Sequence, residues 1–280
     1  MEKIKKSEQA NIDSPLIKDL DDDIYFEKRS SVSNMTALHY HRHYELYYLL
    51  SGKQNYFIDN AYFEMGKGDL ALIPKGSIHK TTNGMGGMRI LLNFNDRFLL
   101  KYLSPRAIKT LFPLFEKRIV HPSADTAKTI VQCCDKFQEA HEQSDKDTQF
   151  LYLFEILLLL QNCPEVKQAE NEQALPLIHA ITEYTQKNYG TINSLNDVAE
   201  ALYVSKYHIC HLFSKHLDLP FNEYLTKVRL KNAEEKLTNT DQTVTEIAES
   251  CGFHTTTYFC SVFKKQFGIS PLKYRTLTKQ

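Results

Sequence analysis

Two stretches near the C-terminus decide the fold: DVAEALYVSKYHICHLFSKHLDLPFNEY, residues 197 to 224, and EIAESCGFHTTTYFCSVFKKQFGISPLKY, residues 246 to 274. With one extra residue in the second copy, at Gly252–Phe253, the two align. Ala199 matches Ala248; then, at a constant offset of 50, Ile209 matches Phe259, Leu212 matches Val262, Phe213 matches Phe263 and Tyr224 matches Tyr274. Two copies are too few for a solenoid, so the pattern is a tandem of supersecondary units.

Each copy reads as a helix-turn-helix. A central alanine in the first helix lets a second helix cross closely, a turn follows, and a hydroxyl (Ser205, Thr255) caps the next helix. That second helix buries one stripe: Ile209, Leu212 and Phe213, then Phe259, Val262 and Phe263. The opposite face carries Lys206, Tyr207, Cys210, His211 and Ser214 in the first copy, and Thr256, Thr257, Cys260, Ser261 and Lys264 in the second. Such a face is free to enter a DNA groove.

Charge supports this locally and not globally. The 280 residues have zero formal net charge, with 42% hydrophobic and 24% charged residues, the profile of a soluble globular protein. From Ser250 onward there are Lys264, Lys265, Lys273, Arg275 and Lys279 and no acid; Tyr203 to Leu217 holds Lys206, Lys215 and three histidines, again with no acid. Basic patches of this kind neutralise phosphates on an otherwise neutral chain. A solvated surface is the bland alternative, and the spaced duplication with caps and close crossings weighs against it.

The stretch IAESCGFHTTTYFCSVFKKQFGISPLKYR resembles the signature of the AraC/XylS family of transcriptional regulators: IA, then GF, YF, FK and GxSPxxYR. The resemblance covers about residues 180 to 277. It implies two helix-turn-helix units (about 195–216 and 244–267) joined by a long helix, FNEYLTKVRLKNAEEKLTN, with the recognition helices in successive major grooves of double-stranded DNA. The implied DNA-binding residues are Ser205, Lys206, Tyr207, Cys210, His211, Ser214, Lys215, Thr255, Thr256, Thr257, Cys260, Ser261, Lys264 and Arg275. Where relatives often carry an arginine, this chain has His211 and Ser261, so guanine readout is expected to be weaker.

Residues 23 to about 100 have β character. IYFEKRS, ELYYLLSG, QNYFID and DLALIP are short segments punctuated by SGK, DN, GKG and NGMGG. His39-x-His41-xxx-Glu45, followed by Gly52, then Gly68, Pro74, Gly76 and His79, resembles the two motifs of cupins, small double-sheet β-barrels. In metal-binding cupins the counterparts of His39, His41, Glu45 and His79 ligate a divalent ion, and imidazoles with a carboxylate suit such ions. Three readings compete: a metal site, a small-molecule sensor with polar groups His41, Glu45, Tyr47, His79 and Arg89, and plain scaffold. The DNA-binding tandem on the same chain favours a sensor for a small effector, a carbohydrate by analogy with barrel-bearing relatives, with no metal or other cofactor expected and no catalysis. His43 has no assigned place.

Ser104 to Leu160 turns helical, and in DTQFLYLFEILLLLQ one face is Phe150, Leu153, Phe154, Leu157 and Leu158. LYLFEILLLL is half a membrane span in length and holds Glu155, so no membrane contact is expected. By resemblance these helices pair two chains; capping the barrel of their own chain is the alternative. NCPEVKQAENEQA, 162 to 174, loses periodicity and reads as a linker.

The expected organisation is therefore α+β: an N-terminal arm (1–22), a cupin-like effector-binding and dimerisation domain (23–161), the linker (162–174) and an all-α DNA-binding domain (175–280). Expected partners are promoter half-sites, the effector, RNA polymerase and a second copy of the chain. Six cysteines without a CxxC pair, and no signal peptide in MEKIKKSEQA, point to reduced thiols in the cytoplasm. GMGG at 84 to 87 is a turn, and Cys251 with His254 lacks the second pair a zinc site needs.

Overall fold

A computed structural model describes residues 23–30, 34–35, 38–166 and 175–278. The expected N-terminal arm, the later part of the linker (167–174) and Lys279 lie outside these. The chain divides into two compact units, the first beginning at Asp23 and the second carrying the helices from Leu175 onward.

The first unit holds two sheets. One has the order β1 (Ile24–Arg29), β7 (Arg89–Phe94), β2 (Tyr44–Leu49), β5 (Leu70–Ile73), β8 (Ile119–Val120); the other has β4 (Ala61–Met65), β3 (Lys53–Ile58), β6 (His79–Met85). Strand β2, YELYYL, is buried at every position, which the period of two explains only if both faces are covered. Tyr47 and Leu49 join Tyr56, Ile58, Phe63, Met65, Ala71, Ile73 and Ile119 in a core drawn from both sheets. Tyr44, Leu46 and Tyr48 face outward into a second core shared with the helices.

Those helices are α1 (Asp96–Leu99), α2 (Pro105–Leu111), α3 (Ala124–Glu142) and α4 (Lys146–Gln161). Ser123 and Asp145 cap α3 and α4 by accepting the N–H of Thr126 and Thr148. The α4 face read from periodicity is largely spent inside this unit. Phe150, Leu153 and Leu157 are buried against the sheet and α3, Phe154 is half-buried, and the exposed leucines are Leu151 and Leu158. The early linker is also engaged: Val166 donates its N–H to Ile119 at 2.9 Å and His121 donates to Pro164 at 3.1 Å, extending the sheet beyond β8.

The second unit is all helix: α5 (Leu175–Asn188), α6 (Leu195–Ala201), α7 (Lys206–Leu212), α8 (Phe221–Asn239), α9 (Val244–Ser250), α10 (Thr256–Phe267) and α11 (Pro271–Thr278). Its duplication is visible in bond detail. Val204 donates to Ala199 and Phe253 to Ala248, both at 2.9 Å, and the turn residues before them, Tyr203 and Gly252, have φ of 55° and 80°. Phe213 meets Tyr224 edge to face at 5.5 Å, as Phe263 meets Tyr274 at 5.4 Å. These matches correct the alignment by one step. Phe253 pairs with Val204, and the inserted residue is exposed His254, which lengthens the approach to the Thr255 cap.

Candidate DNA interface and ligand site

In α7, Lys206, Tyr207, Cys210 and His211 are exposed, as are Ser214 and Lys215 in the π-helical turn that follows, while Ile209, Leu212 and Phe213 are buried. In α10, Thr257, Ser261 and Lys264 are exposed and Thr256 and Cys260 half-exposed, with Phe259 and Phe263 buried and Val262 only partly so. Ser205 and Thr255 accept the N–H of His208 and Tyr258, which commits their hydroxyls to capping.

Two residues depart from the basic face read in the sequence. His216 is buried. Arg275 donates to the carbonyls of Leu237 and Gln242, at 3.3 and 2.5 Å, and so ties down the end of α8. Others were missed: His208 and Tyr258 are exposed on the recognition helices, and Tyr203, in the first turn, is 96% exposed at positive φ. Its alignment with Gly252 is the signal that could have found it.

Within the second unit, the two helix-turn-helix copies are held in register by Arg229 of α8. It donates to the carbonyls of Tyr189 and Ile192, at 2.9 and 2.5 Å, and its guanidinium lies 6.0 Å from the Phe253 ring centre. Desolvation by burial pushes its pKa down, yet an arginine stays charged, so it works as a fixed cationic staple.

In the first unit, Arg89, Leu91 and Asn93 of β7 lie opposite Leu49, Tyr47 and Glu45 of β2. Glu45 is buried and receives the Tyr56 hydroxyl at 2.7 Å on Oε1, while Oε2 lies 3.1 Å from His41 Nε2 and 4.0 Å from His79 Nε2. Tyr56 meets Tyr47 edge to face at 5.4 Å, and the Arg89 guanidinium sits 5.4 Å over the Tyr47 ring while pairing with Glu27 at 3.3 Å. The five residues expected to contact an effector thus form one connected row, with Tyr56 as the link that sequence reading missed. Asn93 was missed as well, although it alternates with Leu91 and Arg89; its Oδ1 is buried without a hydrogen-bond partner among the described residues.

Burial alone would raise the Glu45 carboxyl, but the His41 hydrogen bond and the neighbouring imidazoles hold it well below the usual carboxylate range. Burial pushes His79 well below its ordinary value, and His39 beside it adds to the fall. The row therefore presents a carboxylate next to a neutral imidazole in an apolar shell.

These features define a ligand-binding barrel joined to a tandem helix-turn-helix. Comparison with known proteins agrees: residues 198–276 match the model of a helix-turn-helix domain and residues 24–154 that of the AraC-like ligand binding domain. The chain belongs to the AraC/XylS family of transcriptional regulators. It is 37% identical over 122 residues to an uncharacterized HTH-type transcriptional regulator, YijO, of Escherichia coli, a match that spans 42% of this chain and 42% of that protein. It is 24% identical over 260 residues to the melibiose operon regulatory protein of Escherichia coli, covering 88% of this chain and 85% of that one. Among solved structures, the C-terminal domain of AraT, a response regulator from Geobacillus stearothermophilus, shares 34% identity over 39% of this chain and 88% of that chain, with a TM-score of 0.35. Among the described residues no helix is long and apolar enough to cross a membrane, and all six cysteines are free thiols.

Proposed function

We propose that the chain is a sequence-specific transcriptional activator that binds double-stranded promoter DNA through α7 and α10 and responds to a carbohydrate in its barrel. The observation that carries this reading is the pair of capped recognition helices, each exposing a face with no acidic residue and fixed to the other through α8 and Arg229. Base edges are read from Tyr207, Cys210 and His211 in one groove and from Thr256, Thr257, Cys260 and Ser261 in the next. Lys206, Lys215 and Lys264 contact phosphate, where they add affinity without sequence information.

The effector occupies the interior row His41, Glu45, Tyr47, His79 and Arg89. With Tyr56 and Asn93 beside it, the row offers a carboxylate, hydroxyls, an amide and an aromatic face, the groups a polyhydroxylated ring requires, and the melibiose operon regulator is a relative whose name carries a sugar. An effector acts only through unequal affinity for two arrangements of the protein. Binding therefore changes how the chain engages its promoter half-sites as a homodimer and recruits RNA polymerase.

The test is operator binding by the full chain, measured across mono- and disaccharides. One sugar is expected to shift operator affinity and, at a hundred times its Kd, to stabilise the fold by about 2.7 kcal/mol, which raises the unfolding temperature. An operator affinity indifferent to every small molecule tried would leave a constitutive DNA-binding protein and sink the sensing half of the proposal.

A further inference from the structure

The linker begins inside the effector unit. Among the described residues, two backbone bonds lay Pro164–Val166 along the outer edge of β8. Val166 donates to the Ile119 carbonyl at 2.9 Å and His121 to that of Pro164 at 3.1 Å, with Val120 opposite Glu165. The chain just before is fastened more firmly. Cys163 is buried, and Lys117 Nζ donates to the carbonyls of Gln161 and Cys163 at 2.6 and 2.9 Å. Pro164 and Glu165 are exposed, so beyond Cys163 the hold is those two bonds and the half-buried Val166 side chain. An edge segment held so lightly is a low-stability element that opens without unfolding its sheet.

Two paths connect this segment to the polar row. Through the core, Val166 packs on the cluster that holds Ile119, Ala71 and Tyr47, the last a member of the row. Through hydrogen bonds, the Ser77 carbonyl lies 2.8 Å from His79 Nδ1, and the Ser77 hydroxyl donates to Asp59 at 2.9 Å. Asp59 pairs at 2.9 Å with Arg118, the residue before β8. Arg118 has a φ of 61° and a ψ of −59°, a rare and strained conformation for a residue with a side chain. The Asp59 ion pair holds it there, together with the Leu72 N–H, which donates to the Arg118 carbonyl at 2.6 Å. Strain persists only where the surroundings over-determine it, and it concentrates at switch regions.

We propose that Pro164–Val166 is a detachable strap, and that an effector in the row releases it and so changes how the DNA-binding unit is tethered. Seated, the strap leaves eight residues, 167 to 174, before α5. Released, it adds three more, about 10 Å of extended chain at roughly 3.3 Å per residue. That length counts against the roughly 34 Å that separates half-sites one helical turn apart. The effector acts on the strap from both sides: on Val166 through the Tyr47 ring, and on the Arg118 clamp through His79 and Ser77. The trigger rests on reading the row as the effector site; the strap itself does not.

Hydrogen exchange of the His121 and Val166 amides in the full-length chain reads the strap directly, because these two N–H groups make its bonds. In the unsubstituted chain both should exchange slowly. Val166→Asp sets a carboxylate against the apolar core, and Asp59→Asn loosens Arg118 without touching the linker. Each should speed both amides at least about tenfold, leave the amides of β2 unchanged, and shift operator affinity about fivefold or more. Slow amides in both variants overturn the proposal, as do fast amides with unchanged operator affinity. Should Val166→Asp fail to fold, seen as fast β2 amides, Asp59→Asn decides alone. The mono- and disaccharides are then supplied in turn. A sugar that shifts operator affinity and speeds both amides upholds the trigger; one that shifts affinity while both stay slow overturns it. If no sugar has any effect and the variants still shift operator affinity, the strap stands and the sensor reading falls.

Discussion

Arg229 and Gly252 occupy the same corner of the DNA-binding unit so closely that they exclude a side chain. A Cβ at Gly252 would stand 2.8 Å from Arg229 Nη2, 2.8 Å from the Gly190 carbonyl and 2.9 Å from that of Tyr189, at a φ of 80°. Two of the three are backbone atoms and cannot swing away. Gly252→Ala is therefore expected to destabilise this unit by about 1–3 kcal/mol, through both the clash and the left-handed backbone. Tyr203 has the equivalent φ in the first turn but is 96% exposed, so Tyr203→Gly should leave stability unchanged or raise it by under about 1 kcal/mol. Thermal unfolding followed by circular dichroism compares the two; equal effects would remove Arg229 as the reason for the glycine.

On DNA, the exposed residues divide into two behaviours. Lys206→Ala should weaken binding to operator and random DNA alike and reduce the slope of log K against log salt by about 1. His211→Ala and Thr257→Ala should cost about 1–3 kcal/mol on the operator and little on random sequence. Arg275→Ala should instead lower the unfolding temperature, because it caps α8 through the Leu237 and Gln242 carbonyls. Fluorescence anisotropy at several salt concentrations separates these; a salt-slope change confined to Arg275→Ala would reverse the assignment.

Thiol chemistry offers a footprint. Cys210 is exposed and Cys260 half-exposed on the recognition helices, whereas Cys133 and Cys134 are buried, with thiols that desolvation pushes up to about 11 and about 12. Because the thiolate is the nucleophile, iodoacetamide at pH 8 should modify Cys210 and spare the buried pair, for which the reactive fraction is on the order of one in a thousand or less. Raising the pH toward 10 should not expose the pair while the fold holds. Operator DNA should protect Cys210 and Cys260. Mass spectrometry of tryptic peptides reads all four; equal labelling with and without operator would place DNA elsewhere.

Association of two chains is expected to depend on the α4 residues that the fold leaves uncovered, Leu151 and Leu158, exposed by 62% and 44%. Both lie on the side of α4 away from Leu153 and Leu157, and they are the apolar surface this helix offers to a second chain. Leu151→Glu with Leu158→Lys should yield a monomer in sedimentation velocity with an unchanged unfolding midpoint for the barrel unit. A dimer that persists would put the interface on another face.

The sequence by itself determined the class of this protein. A 50-residue offset in apolar residues, hydroxyl caps and acid-free second helices are local facts, since helix periodicity, capping and charge act within a few residues of one another. The connector helix appeared with its ends because Pro220 and the NTDQ break punctuate it. The motif around His39, His41 and Glu45 was equally legible as a set of donors. What they do was not, because a donor set acquires meaning from the direction of each lone pair. Only the tertiary structure brought His79 to His41, turned their Nδ1 atoms onto the carbonyls of Ser77 and His43, and set Tyr56 against Glu45 from another strand. The same holds for Arg229 and Gly252, for Arg275 at the end of α8, and for the α4 leucines whose face was spent on the barrel. Apart from the two Nδ1 contacts, which each span two residues, these are contacts between residues distant in the chain, and burial and hydrogen bonding across such distances are fixed by packing, which no local pattern encodes.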